Sequence, residues 1–155
     1  MNGIIPEMEQ IISQLERGTV VTKFFSRKRP EKKTLMIRRE TRQIVWSRSA
    51  TFRPFDGSVE IREIKEIKVG KHSKDFEKWP EDAKRIENLR CFVVYYGSEF
   101  RLKTLSISAL SEKECELWVK GLRRLVQDTI KAPYPLQVER WLRKEFYAME
   151  NSRET

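Results

Sequence analysis

Residues 111–129, SEKECELWVKGLRRLVQDT, decide the fold. Ser111 followed by Glu114 is a capping-box signature, and Cys115, Trp118, Val119, Leu122, Leu125 and Val126 recur at three- and four-residue intervals. They form one apolar stripe on a helix that ends near Thr129, and a stripe holding a Trp must be covered by something. What precedes it alternates with a period of two. Segments rich in β-branched and aromatic residues predict strands at Thr19 to Phe25, Thr34 to Arg39, Gln43 to Ser47, Gly57 to Ile61, Ile64 to Val69, Arg90 to Tyr96 and Glu99 to Ser106. Gly97-Ser98 supplies the last hairpin turn and Glu40-Thr41-Arg42 the turn before the third strand. Residues 71–89 are polar, carry mixed charge and contain Pro80, which predicts the longest loop.

Two shorter helices flank this block. Ile4, Met8, Ile11, Ile12 and Leu15 recur at helical spacing around Pro6, and Gly18 stands where a C-terminal cap belongs, so residues 6–17 read as an amphipathic helix. Past the long helix, Pro133 and Pro135 break the chain, and Val138, Trp141, Leu142 and Phe146 begin another amphipathic helix with a polar tail. The domain organisation read from this is an N-terminal helix over residues 1–17, a main domain over 18–131, and a linker with a further helix over 132–155. Seven antiparallel strands closed by one helix make a mainly β fold with α. The architecture is that of a pleckstrin-homology domain, a seven-stranded two-sheet barrel with near-orthogonal sheets, capped at one end by the C-terminal helix and open at the other.

Composition agrees with one folded domain. The chain has 155 residues, 39% of them hydrophobic and 10% aromatic, enough to fill a core although 35% are charged. Two cysteines, Cys91 and Cys115, and no signal-peptide pattern predict buried thiols in a reducing, intracellular setting rather than a disulfide framework. No apolar run approaches the roughly 18 residues of a spanning helix, so a soluble protein is expected. The net charge of +9 is uneven: residues 18–50 hold ten basic residues against Glu31 and Glu40, which accounts for eight of it. Such polarity attracts an anionic partner.

Three blocks resemble a known family. Residues 64–76 (IKEIKVGKHSKDF), 99–106 (EFRLKTLS) and 141–147 (WLRKEFY) are similar to the N-terminal pleckstrin-homology domain of phosphoinositide-specific phospholipase C, nearest the gamma type. The resemblance runs from Gly18 to Tyr147 and includes Arg29-Pro30-Glu31 and Glu40-Thr41-Arg42-Gln43. It implies that the last helix begins an EF-hand region. It also implies a noncatalytic, membrane-targeting module, cytoplasmic and recruited to the inner face of the plasma membrane, of an enzyme that hydrolyses phosphatidylinositol 4,5-bisphosphate. The implied partners are anionic phosphoinositides and other domains of the parent. No catalytic residue, metal site or cofactor is expected, and His72 beside Ser73 and Asp75 makes neither a triad nor a metal site.

A phosphorylated inositol is a compact polyanion, so its site needs several Lys or Arg side chains converging from different strands. Lys23, near the end of the first strand, is one candidate. Period two makes Lys33 its partner, since Lys33 shares a face with Leu35 and Ile37. Ungapped spacing from Trp46 instead puts Lys32 where the delta-type relative has a pocket arginine, so both lysines stand as candidates. Arg27, Lys28 and Arg29 form the rim, in a loop expected over Ser26 to Lys33. The chain departs from the tight-binding delta type at Phe25 and at Ala50-Thr51, where that type has basic residues, and the expected binding is therefore modest and partly nonspecific. Phosphatidylinositol 3,4,5-trisphosphate is the preferred lipid by family analogy. A protein-interaction role with little lipid specificity is the alternative. Nucleic-acid binding is not expected, because the basic loop lacks aromatics interleaved with Arg and Gly.

Overall fold

The computed structural model describes residues 6–48, 55–98, 100–131 and 141–149. Its strands are β1 (Thr19–Phe24), β2 (Glu31–Arg38), β3 (Gln43–Ser47), β4 (Gly57–Glu60), β5 (Ile64–Val69), β6 (Cys91–Ser98) and β7 (Arg101–Ala109). The helices are α1 (Glu7–Arg17), α2 (Lys74–Lys78), α3 (Pro80–Ala83), α4 (Glu112–Lys131) and α5 over residues 141–149. All pairings are antiparallel, as expected, but the two sheets of the sequence reading are one continuous ladder in the order β4-β3-β2-β1-β7-β6-β5. β1 joins them because both of its edges are bonded: Val21 lies opposite Lys33 on β2 and Ala109 on β7.

The inner face of this sheet carries Val21, Leu35, Ile37, Ile44, Trp46, Val59, Phe92, Val94, Leu105 and Ile107, and α4 packs Trp118, Leu122 and Leu125 against it. Trp118 is fully buried, stacked on Phe92 with ring centroids 6.4 Å apart. The predicted cap is present, with the Glu114 amide donating to Ser111 Oγ at 3.2 Å. α1 adds Ile11, Ile12 and Leu15 to the same core, and Arg39 clamps it by donating to Glu9 and, at 2.8 Å, to Glu16.

Three local expectations are corrected. β2 begins at Glu31, so the first loop is residues 25–30 and both Lys32 and Lys33 lie in the ladder, opposite Thr22 and Val21. Dense charge hid that alternation from a hydrophobicity reading. The last hairpin turn is not Gly97-Ser98, because both residues are paired in the ladder, Gly97 with Leu102 and Ser98 with Arg101. Residues 71–89 contain α2 and α3 rather than a plain loop. These short helices cover the outer face of β1, β6 and β7, where Phe24, Phe76, Ala83, Cys91 and Val93 make a second apolar cluster, with the Phe24 and Phe76 rings 4.5 Å apart. Burying Phe24 and Phe76 is what makes the polar segment fold.

The last helix is present over 141–149; residues 132–140, which include its expected start at Val138, lie outside the described residues. It docks on the outer face of β2, β3 and β4 through polar groups. Lys144 Nζ is 2.7 Å from Glu60 Oε2, the Tyr147 hydroxyl donates to Glu40 at 3.1 Å, and the Arg38 guanidinium lies 4.6 Å from the Tyr147 ring centroid. The stripe that predicts this helix faces away, leaving Trp141, Leu142, Phe146 and Met149 exposed.

Candidate functional site

Strand register places the basic residues. β1 runs toward Phe24, β2 returns from Glu31, and Ser47 at the end of β3 lies opposite Thr34 near the start of β2. The loop 25–30 and the connection after β3 therefore share one end of the barrel, and the β6–β7 hairpin runs past Phe24 in the same direction. Lys23 lies opposite Glu31 and Ile107, so Lys23, Glu31 and Lys33 all point to the inner face with Leu35 and Ile37. Lys32 lies opposite Thr22 and is exposed on the outer face, away from Lys23. Arg27, Lys28 and Arg29 are exposed in the loop. Among the described residues neither Arg27 nor Arg29 forms an ion pair, whereas Lys28 lies 3.3 Å from Glu31.

The mouth has an aromatic floor. Lys23 Nζ stands 3.8 Å from the Phe25 ring centroid and 5.3 Å from that of Trp46, and Lys28 Nζ is 4.5 Å from Phe25. Trp46 can lie flat because its neighbour across the ladder is Gly57, where a Cβ would come within 2.4 Å of Trp46 Cζ2. Phe25 thus carries two ammonium groups on its face. Burial lowers the Lys23 ammonium to about 8, opposed by the carboxylate of Asp75 and reinforced by Lys33 and Lys28. Asp75 is buried behind β7, accepting from Thr104 Oγ1 and Ser106 Oγ, each at 2.6 Å.

Lys33 is differently placed. Only 6% exposed, it donates to Asp56 Oδ2 at 2.6 Å and lies 3.3 Å from Glu31. Burial alone would lower its proton affinity, but the two carboxylates outweigh it and raise the ammonium above its ordinary value. Asp56 is fixed by its own amide, which donates to the Trp46 carbonyl at 2.8 Å. The inner lysine therefore has its charge already matched within the protein.

The remaining basic residues of β2 and the following turn serve the fold. Arg39 holds α1, and Arg38 stacks between Phe55 and Tyr147 of α5. Sequence reasoning missed Asp56 and Asp75, whose approach is through space from distant segments. Glu31 could have been found, since it stands two residues before Lys33 on one strand face.

Comparison with known proteins identifies the scaffold. The chain is 42% identical over 154 residues to 1-phosphatidylinositol 4,5-bisphosphate phosphodiesterase gamma-2 of Rattus norvegicus, matching 96% of this chain and 12% of that protein. It is 42% identical to the Homo sapiens protein of the same name, over 95% of this chain and 11% of the other. A family model described as PLCG EF-hand motif 1 matches residues 130–155. The chain belongs to the gamma-type phospholipase C family. It is a pleckstrin-homology domain followed by the start of an EF-hand region, and it spans about an eighth of the length of these gamma-type relatives. The fold is shared with S. officinalis PLC21, at a TM-score of 0.60 and 14% identity over 76% of this chain and 16% of that one. It is shared also with the carboxyl-terminal PH domain of pleckstrin, at 0.52 and 13% over 70% and 94%. No helix among the described residues is long and apolar enough to cross a membrane.

Proposed function

We propose that this gamma-type pleckstrin-homology domain is a noncatalytic module that holds a phospholipase C at anionic phosphoinositide on the inner face of the plasma membrane. The observation that carries the reading is the meeting of Lys23 and Lys28 over the Phe25 ring at one end of the barrel, in a mouth whose loop also carries the exposed Arg27 and Arg29. Rim cations draw the domain to any anionic leaflet, while Lys23 is the inner ammonium available to a headgroup phosphate. Lys32 belongs with the rim as an outer-face cation, and Lys33 contributes only if Asp56 gives way.

The pairing of Lys33 with Asp56 and Glu31 also favours a second reading, an interaction or intramolecular regulatory domain with little lipid specificity. Sedimentation with phosphatidylcholine vesicles carrying phosphatidylserine, the 4,5-bisphosphate or the 3,4,5-trisphosphate at matched charge separates the two. Binding graded by headgroup supports the pocket, equal binding leaves only the rim, and no binding favours the interaction reading. Asp56→Asn is expected to raise affinity for the bisphosphate vesicles about fivefold by freeing a charged hydrogen-bond donor. Lys33→Met should erase that gain. A gain of equal size on phosphatidylserine vesicles would show that Asp56 acts on overall charge rather than on Lys33.

A further inference from the structure

Phe100 is 99% exposed, and Leu102 beside it is 53% exposed. Both lie on the β6–β7 hairpin, whose last pair is Ser98 with Arg101, so Phe100 stands in its turn just before Arg101. Tight hairpin turns select Gly, Asn or Asp for their backbone freedom, and a Phe adds nothing to the turn. Leu102 is uncovered because its cross-strand partner is Gly97, at φ 110°, which has no side chain to lay over it. Neither residue belongs to either apolar cluster of the core.

Register fixes where this tip points. The β1–β7 ladder ends with Phe24 opposite Ser106, so residues 101–105 run on past the end of β1, about 16 Å at strand rise. The loop that bears Arg27, Lys28 and Arg29 leaves from the same end of β1. Arg101 and Lys103, both exposed, flank the two apolar residues, with Glu99 the only acid in residues 97–103. An apolar tip flanked by Arg101 and Lys103, on a hairpin that extends from the same end of β1 as the basic loop, matches an anionic bilayer: acyl chains for the tip and headgroup phosphates for its flanks.

We infer that the β6–β7 hairpin is a membrane-inserting wedge, with Phe100 and Leu102 entering the acyl boundary of an anionic leaflet while Arg101 and Lys103 meet its headgroups. This rests on the lipid reading above and adds to it a second, apolar anchor separate from the basic rim and pocket. Such a wedge predicts tighter binding to bilayers than to soluble inositol phosphates, which it cannot touch.

Both native thiols are buried, so a cysteine placed at Phe100 can be labelled alone. The probe is the 155-residue chain carrying Phe100→Cys with an environment-sensitive fluorophore, mixed with phosphatidylcholine–phosphatidylserine vesicles containing a few per cent of the 4,5-bisphosphate. The expected result is a blue-shifted, brighter emission that spin-labelled lipid quenches. In parallel, Phe100→Ala should weaken vesicle sedimentation about fivefold and Phe100→Leu much less, while affinity for soluble inositol trisphosphate is unchanged in both. Vesicle binding with the fluorophore left in water would overturn the wedge and leave the lipid reading standing. Failure of the wild-type chain to bind any vesicle would overturn both.

Discussion

Replacing Arg27, Lys28 and Arg29 together by glutamine is expected to weaken binding to anionic vesicles by about a hundredfold, measured by sedimentation at physiological salt. All three are exposed at the mouth, and a basic residue close to an anionic leaflet contributes about 1 kcal/mol, so three removed together amount to about 3 kcal/mol. Lys28 gives somewhat less than its share because it already lies near Glu31, though its loss also leaves that carboxylate facing the membrane. The effect should be nearly the same for phosphatidylserine and for phosphoinositide vesicles, since a rim reads charge rather than headgroup. It should also shrink as salt rises, because exposed charges are screened within about 10 Å at 0.1 M. The substitutions touch no core residue, so the melting temperature should stay close to wild type. A loss smaller than about threefold would mean that the loop does not face the membrane.

Part of this candidate site was legible in the sequence. The basic stretch 18–50 was legible but runs to both ends of β2; period two pointed to Lys33 and ungapped spacing to Lys32, and the ladder puts Lys33 on the face of Lys23. The strands were legible from the β-branched and aromatic residues that recur along them; β2 was cut short at its start, where charged residues occupy the alternating positions, and β6 and β7 run two and three residues beyond their expected ends. What could not be read was the local charge balance. Asp56 reaches Lys33 across 23 residues of chain, and Asp75 acts on Lys23 from a segment that looks like a loop because its apolar residues, Phe76, Trp79, Ala83, Ile86 and Leu89, are scattered among charges and interrupted by Pro80. Contacts made across a fold by single polar side chains leave no period in the sequence. The docking of α5 is of this kind too. Its apolar stripe predicts a helix but not the face it uses, which is set by Lys144 and Tyr147.

Lys23→Met separates a binding residue from a packing residue, because it should move affinity and stability in opposite directions. An ammonium on Phe25 and Trp46 is a charge held partly out of water; burial brings it to about 8 from 10.5. Between those two values the unfolded chain holds a proton that the folded chain has released, so wild-type stability rises with pH across that window. Below about pH 8 the folded chain bears the whole cost of the buried charge. Methionine carries no charge and fits against the same rings, so the variant should melt at a higher temperature than wild type at pH 7, and that advantage should fade as the pH is raised from 8 to 10.5. Binding should go the other way. Losing one charge-assisted donor to a phosphate costs about 1.5–3 kcal/mol, or roughly ten- to a hundredfold, on phosphoinositide vesicles and much less on phosphatidylserine. Wild-type binding should itself weaken above pH 8 as the ammonium discharges, a dependence absent from the variant. The two readouts constrain each other. A variant that is stabilised yet binds phosphoinositide like wild type would make Lys23 a buried charge of no use to a headgroup. A destabilised variant would mean that its attraction to Asp75 and the ring faces outweighs the loss of hydration.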